Sequence, residues 1–157
     1  MKKSRFWGQV CFVLAGVSAS ALFCPQFRIH IWDDGRSANL YLWGGHVALQ
    51  ATVSVAVYVI AAVWGLAGVG GLFLAGKKLY QHNRAAIAWM NWAAFFVAME
   101  LVFLLVAAEE VLTDLRVRLL HADSYASVGS WISFCILLIL LFLPSRVKKQ
   151  VFQNKDS

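Results

Sequence analysis

The sequence contains few charged residues, and long stretches of it contain none. Only 14% of its 157 residues are Asp, Glu, Lys or Arg, whereas 61% are hydrophobic. A soluble domain is about one quarter charged and about half apolar. Because the charges also fall in short clusters between long uncharged stretches, the composition predicts a membrane protein and argues against a soluble globule.

Motifs that carry chemistry are also missing. The three cysteines, Cys11, Cys24 and Cys135, form no CxxC pair, which argues against a redox pair or a zinc knuckle. No two histidines have the i, i+4 or HExxH spacing of a helical zinc site. We therefore expect no cofactor and no metal, and binding rather than catalysis. The net charge of +6 is better explained by anionic lipid than by nucleic acid, which we do not expect as a partner.

Four hydrophobic stretches reach or approach the roughly 20 residues that a helix needs to cross a bilayer. They cover residues 6–23, 47–75, 85–108 and 127–143. Pro144 is expected to end the fourth helix. The pattern predicts an all-α membrane protein, a four-transmembrane-helix bundle in a single domain. An alternative for residues 1–21 is a cleaved signal peptide, since Ala19-Ser20-Ala21 resembles a cleavage site.

Positive charge predicts the orientation of the bundle. With the N-terminus in the cytoplasm, ten of the fourteen Lys and Arg residues lie on the inner side, and six of the eight acidic residues lie outside. All three basic clusters agree. We therefore expect a multi-pass protein of the bacterial inner (plasma) membrane with both termini in the cytoplasm.

Two segments on the predicted outer side should be structured. In residues 27–43, two stretches of alternating polar and apolar side chains flank a turn at Asp33-Asp34-Gly35-Arg36, which predicts a β-hairpin between helices 1 and 2. The hairpin is either a lid that seals the bundle or a recognition element. The candidate recognition residues on the predicted outer side are His30, Asp33, Asp34 and His46. Residues 109–121 have helical spacing of leucines and predict an external amphipathic helix, separate from the third span or continuous with it.

Glu100 is the only ionisable residue deep within a predicted span. A carboxyl group at that depth should be protonated, paired or turned inward. At 1.5 Å per residue, the other spans are expected to reach the same depth near Ser18, Ser54, Tyr58 and Ser133. Glu100, Tyr58, Ser54 and Ser133 are therefore candidate binding residues. Two hypotheses remain open, a proton or ligand site and a protonated carboxyl group that holds the helices together.

Small residues recur along the second span. Gly65, Gly68, Gly70 and Gly71 alternate with alanines in small-xxx-small pairs such as Ala61/Gly65. Such pairs allow helix backbones to approach closely, either within the bundle or against a second protein.

The end of the chain, Pro144-Ser145-Arg146-Val147-Lys148, followed by Phe152, resembles the YdgK-like family of small bacterial inner-membrane proteins, which end their fourth span in a Ser-x-Arg-Val-Lys-x-x-Phe type signature. The order of a long first external loop, a short basic inner loop and a moderate second external loop is also similar. The resemblance implies four spans and an inner-membrane location. It implies no activity.

Three classes of function remain open. The preferred hypothesis is an accessory subunit or assembly partner of a membrane complex, with a membrane-protein partner or a homo-oligomer in the lipid bilayer. An alternative is an immunity or exclusion protein against a membrane-acting toxin, whose hairpin and acidic outer loop meet the incoming factor. The third is a small transporter or membrane enzyme that uses Glu100.

Overall fold

The part of the chain that the structure describes forms four long helices and a three-stranded antiparallel sheet. The computed structural model describes residues 2–33, 35–42, 55–117 and 121–153. In chain order the elements are α1 (Lys2–Ala21), β1 (Pro25–Ile31), β2 (Ser37–Tyr41), α2 (Val55–Tyr80), α3 (Ala85–Val117), β3 (Ala122–Ala126) and α4 (Val128–Val147), and a π-helical segment (Lys148–Gln153) continues α4. The predicted mostly helical protein with a small hairpin is confirmed at this level.

The helices form an up-and-down bundle in which each helix packs on the one before it and α4 returns to α1. The short connection between α2 and α3 explains why these two helices are antiparallel neighbours. Within it, His82 has a positive φ of 53°. The Asn83 side-chain oxygen accepts a hydrogen bond of 2.9 Å from the Ala85 amide, which caps the start of α3.

Several helix boundaries differ from the sequence prediction. α1 begins at Lys2 and ends at Ala21, and α2 continues to Tyr80, where Lys77 and Lys78 suit the negative end of the helix dipole. The predicted start of the second span, residues 47–54, lies outside the described residues. α3 runs to Val117 without a Gly or Pro to interrupt it. Residues 109–117 of the predicted amphipathic helix 109–121 are therefore the end of α3 and not a separate element, whereas residues 118–120 lie outside the described residues.

Pro144 does not end α4, so that prediction is wrong. It lies buried inside the helix, which continues to Val147. The Lys148 amide then donates to the carbonyl oxygens of Pro144 and Ser145. Proline removes one amide donor and disturbs the preceding turn, and here the helix absorbs that disturbance near its end and widens into the π-helical segment.

Parts of the two segments that follow α1 and α3 fold into a sheet with strand order β2-β1-β3. The β1–β2 hairpin was predicted, and Gly35 adopts the positive φ of 66° that its turn requires. The third strand was not predicted. β3 pairs antiparallel with β1, with Ile29 opposite Ser124. The sheet therefore joins the two segments, because β1 satisfies the hydrogen-bonding groups of strands on both of its sides.

Two apolar clusters form the core. The sheet-end cluster joins the inner face of the sheet to the nearby helix ends and includes Leu22, Ile29, Leu40, Leu104 and Leu115. The basic-end cluster lies around the other ends of the helices and includes Cys11, Leu72, Met90, Leu140 and Phe152. Glu100 lies on α3 between these clusters.

Two helical segments, Ala56–Tyr80 and Val128–Gln153, are long and apolar enough to cross a membrane by length and composition. The other two predicted spans do not meet this criterion. Within the most apolar stretch of each segment, only 33% and 39% of the residues are buried in the protein. Most residues of these two stretches are therefore not buried in the core.

Candidate functional site

The Glu100 side chain is fully buried, and one of its oxygens is within reach of α4. The Ser133 hydroxyl donates to Glu100 Oε1 across 3.5 Å, a long hydrogen bond. Glu100 Oε2 is buried without a hydrogen-bond partner among the described residues. Glu100 and Ser133, which depth arguments placed together, are therefore neighbours in the fold.

The other oxygen of Glu100 faces α2 at Gly65. A Cβ atom on residue 65 would lie 3.3 Å from Glu100 Oε2 and 2.7 Å from Leu22 Cδ2. Glycine at this position therefore leaves the space that the carboxyl group and the Leu22 side chain occupy. In this way α2, α3, α4 and the residue that follows α1 all contribute to the surroundings of a single carboxyl group.

The remaining residues predicted at this depth lie elsewhere. Tyr58 is seven residues from Gly65, about 10 Å along α2 at 1.5 Å per residue, and packs against the sheet-end cluster. Ser18 is buried on α1, but it is Leu22, one turn later, that lies beside Gly65. Ser54 is outside the described residues. The α2 residue that lies beside Glu100 is therefore about two turns further along α2 than the depth estimate predicted. The estimate measured the depth of Glu100 from the end of the predicted third span, and α3 is much longer than that span.

The same helix register explains most of the glycines of α2. A Cβ atom at Gly68 would lie 3.0 Å from Val97 Cγ2, and one at Gly71 would lie 3.2 Å from Ala93 Cβ. These positions bring α2 and α3 close together on the N-terminal side of Glu100 along α3. The predicted close packing by small residues is therefore present within the bundle.

Gly16 of α1 and Gly70 of α2 are different, because a Cβ atom at either position would have no neighbour within 4 Å. Both line an open groove of about 630 Å³ between the two helices. Its other lining residues are Phe12, Ala15, Ala19, Leu66, Val69 and Phe73. The groove is apolar, has a floor of small residues, and is flanked by aromatic and branched side chains.

The outward face of the sheet carries polar and aromatic side chains in contact with one another. His30 lies opposite Ser37 on one side and Asp123 on the other. The Trp32 indole, 59% exposed, donates to Asp123 Oδ2 at 2.8 Å and meets the His30 ring edge-on with centroids 4.6 Å apart. The predicted recognition residue His30 is thus part of an exposed cluster on this face.

Asp33 holds the start of β3. Its carboxylate accepts from the His121 amide at 2.7 Å and lies 3.2 Å from His121 Nδ1. The residue therefore has a structural role, connecting the turn after β1 to the segment before β3. Asp34 and His46, also predicted for recognition, lie outside the described residues.

Gln26 is a buried polar residue that sequence reasoning missed. Its side-chain amide donates to the carbonyl oxygens of Ala21 at 2.8 Å and Cys24 at 3.2 Å. The backbone carbonyl oxygen of Gln26 accepts from the Ser130 hydroxyl at 2.6 Å. Gln26 thus connects the end of α1, the start of β1 and the start of α4. The only signal in the sequence is a polar residue next to Pro25 where the chain leaves the first helix.

Comparisons with known proteins identify no relative. No protein-family model, no curated protein and no solved structure matches this chain. Within the described part of the chain, no three His, Cys, Asp or Glu side chains converge as ligands for a metal ion.

Proposed function

We propose that this chain is a four-span membrane protein that acts by binding, as an accessory subunit or assembly partner of a larger membrane complex. α2 and α4 supply two spans by length and composition. α1 and α3 support two more, because they lie alongside α2. Gly8 of α1 contacts Gly76 and Tyr80, and Leu22 reaches Gly65.

α3 follows α2 over the same distance, from Ala93 beside Gly71 to Glu100 beside Gly65. Helices packed side by side along a membrane-crossing helix lie at the same depth. Their outward side chains are also apolar and exposed, including Val13 and Val17 on α1 and Phe95, Val102 and Leu105 on α3. Such faces suit lipid tails better than water.

Charge supports an orientation with the sheet outside the cell. The ends of the helices opposite the sheet carry the cations Lys2, Lys3, Arg5, Lys77, Lys78, Arg84, Arg146, Lys148 and Lys149. The described acidic residues other than Glu100 lie at the sheet end, on β1, α3 and β3 or beside them. This arrangement favours an inner-membrane protein with cytoplasmic termini. Membership of the YdgK-like family is a proposal that rests on the C-terminal signature and the loop order.

The groove between α1 and α2 is the observation that carries the binding function. Glycine inside a helix costs about 1 kcal/mol relative to alanine. Gly8, Gly65, Gly68, Gly71 and Gly76 are explained by close neighbours within the bundle. Gly16 and Gly70 have none, so their small size makes room for something outside the bundle.

The occupant we propose is a transmembrane helix of a different protein. Small residues at the floor let a helix backbone approach closely, and Phe12, Leu66 and Phe73 provide the walls. A second copy of this chain fits less well. A two-fold axis would place the same concave groove against itself and leave a void, whereas a single helix is convex and fills it.

The experiment is native-size analysis after extraction from the native membrane in mild detergent. The unmodified chain should migrate in a complex larger than the 17.5 kDa monomer, with a second polypeptide in fixed stoichiometry. Gly16→Leu with Gly70→Leu should release the monomer, because leucine fills the groove. Ala88→Leu, on an exposed position of α3, is the matched control and should leave the complex intact.

A monomer without a partner in the unmodified chain would contradict the binding function. A mass that is an exact multiple of this chain would show a homo-oligomer and contradict the proposed occupant. Equal loss of the complex in the Ala88→Leu control would show that the groove is not the binding site.

Orientation has an independent test by labelling with a membrane-impermeant maleimide in a background without the native cysteines. Ser37→Cys on β2 should be labelled in intact cells with an opened outer envelope. Lys77→Cys and Lys148→Cys should be labelled only after the inner membrane is permeabilised. Labelling of all three positions in intact cells would contradict the proposed topology.

The outward face of the sheet favours a second candidate, an immunity or exclusion protein. Trp32, Tyr41 and Tyr125 are exposed there together with Arg28 and the His30–Asp123 pair. Exposed aromatic residues and arginine are typical of recognition surfaces. Protection of cells from a membrane-acting toxin should then fail in Trp32→Ala with Tyr125→Ala while the protein remains folded. Unchanged survival without the gene under toxin challenge would remove this candidate.

A further inference from the structure

The basic end of the bundle contains a pocket of about 400 Å³ between α1 and the π-helical segment that follows α4. Lys3, Arg146, Lys149 and Gln150 line it. The two walls are held together beside the pocket, where the Trp7 indole donates to Gln150 Oε1 at 3.1 Å. Because Gln150 uses its carbonyl oxygen in this contact, its amide group remains available as a donor.

The charge of this pocket is positive, and no acidic side chain of the described helices around it balances that charge. α1, α2 and α4 with its π-helical segment contain no Asp or Glu at all, and the first acidic residue of α3 is Glu100, deep in the bundle. Lys3 also lies in the first turn of α1, at the positive end of a helix dipole. Three cations gathered around one cavity repel each other, and a bound anion relieves that repulsion.

The surface beside the pocket indicates what kind of anion it is. Phe6 lies one helical turn from Lys3 and Phe142 one turn from Arg146, on the same helix faces and toward the middle of the bundle. Phe6 is 57% exposed and Phe142 is 69% exposed. The pocket therefore continues into an apolar surface on both walls, in the direction in which lipid tails would run.

We propose that this pocket binds the phosphate-bearing headgroup of an anionic phospholipid. Lys3, Arg146 and Lys149 contact the phosphate oxygens, the Gln150 amide donates a further hydrogen bond, and the acyl chains lie on Phe6 and Phe142. Arginine and lysine are the side chains that bind phosphate best in proteins. The inference rests on the membrane placement proposed above, but not on a partner helix in the α1–α2 groove.

The test compares lipid retention by native mass spectrometry of the purified full chain in detergent with equal amounts of phosphatidylglycerol and phosphatidylcholine. The unmodified protein should retain phosphatidylglycerol at least tenfold better. Lys3→Gln with Arg146→Gln and Lys149→Gln should lose that preference. The matched control is Arg5→Gln with Lys77→Gln and Lys148→Gln, which removes the same charge from exposed positions outside the pocket and should keep the preference.

The possible results distinguish a lipid headgroup from a free anion, and a specific pocket from an effect of overall charge. Displacement of the lipid by millimolar inorganic phosphate would point to a free anion and overturn the lipid assignment. Equal loss of the preference for phosphatidylglycerol in the two triple variants would show that the preference depends on overall charge, and would overturn the proposed pocket. Retention of both lipids without preference would leave the membrane placement intact and overturn the headgroup pocket alone.

Discussion

The substitution Gly65→Ala, compared with Gly70→Ala on the same helix, tests the packing around Glu100 most directly. Both changes replace a helical glycine and should gain about 1 kcal/mol of helix propensity. They differ only in surroundings. A Cβ atom at residue 70 has no neighbour within 4 Å, whereas one at residue 65 lies 2.7 Å from Leu22 Cδ2 and 3.2 Å from Glu100 Cδ.

The contacts at residue 65 determine the expected magnitude. Leu22 is 1% exposed and belongs to the sheet-end cluster, so it has little freedom to move away. Overpacking of a filled core costs about 1–3 kcal/mol. Gly70→Ala should therefore be more stable than the unmodified chain by about 1 kcal/mol, and Gly65→Ala should be less stable than Gly70→Ala by about 1–3 kcal/mol.

The assay is unfolding in mixed micelles with increasing mole fraction of dodecyl sulfate, followed by circular dichroism. The free energy of unfolding is compared at one mole fraction for both variants. Leu22→Ala in the Gly65→Ala background should recover part of the loss, because the two side chains compete for one space. If Gly65→Ala and Gly70→Ala are equally stable, the register that places Glu100 against Gly65 is wrong.

Three further predictions concern buried and exposed polar groups. Glu100→Gln should change the free energy of unfolding by less than about 1 kcal/mol, whereas Glu100→Ala should lower it by about 2–4 kcal/mol because it leaves a cavity; both are measured by the same unfolding assay. Gly129→Ala should destabilise by about 1–3 kcal/mol, since its Cβ atom would lie 2.5 Å from Gln26 Nε2. Trp32→Phe, which removes the exposed hydrogen bond to Asp123, should cost at most about 1 kcal/mol in the same assay.

Each of these predictions has an outcome that contradicts it. A loss in Glu100→Gln as large as that in Glu100→Ala would mean that the stability depends on the carboxyl group itself, and would favour the hypothesis that this group holds the helices together. For Gly129→Ala, an unchanged stability would show that Gln26 does not hold α1 and α4 together. Unfolding caused by Trp32→Phe would assign the outward sheet cluster to the core and not to recognition.

The helices could be predicted because their signal is local. Uninterrupted apolar stretches and the absence of Gly and Pro from α3 indicate helix without knowledge of the fold. The β1–β2 hairpin was also local, since alternation and a glycine turn are adjacent in the chain. β3 could not be predicted in this way. Its five residues become a strand only because β1, far away in the sequence, supplies the hydrogen-bonding partners.

The surroundings of Glu100 illustrate the same division. Its position within a hydrophobic stretch indicated that it must face other helices, and a serine of α4 was expected at its depth. The partner on α2 was misplaced, because the depth of a residue depends on where its own helix begins and on how the neighbouring helix slides along it. That register is set by Gly68 against Val97 and Gly71 against Ala93. Such contacts between helices cannot be predicted from the residues around Glu100 in the sequence.

The sequence by itself determined that the charges are few and clustered, so that the chain has apolar helices with basic residues at their ends and one carboxyl group within an apolar stretch. Each of these features follows from residues that are adjacent in the sequence. The tertiary structure alone decided that β1, β2 and β3 form one sheet, that Pro144 lies inside a helix, and that Gly16 and Gly70 line an open groove while the other glycines of α2 do not. Those features depend on which surfaces meet across the bundle.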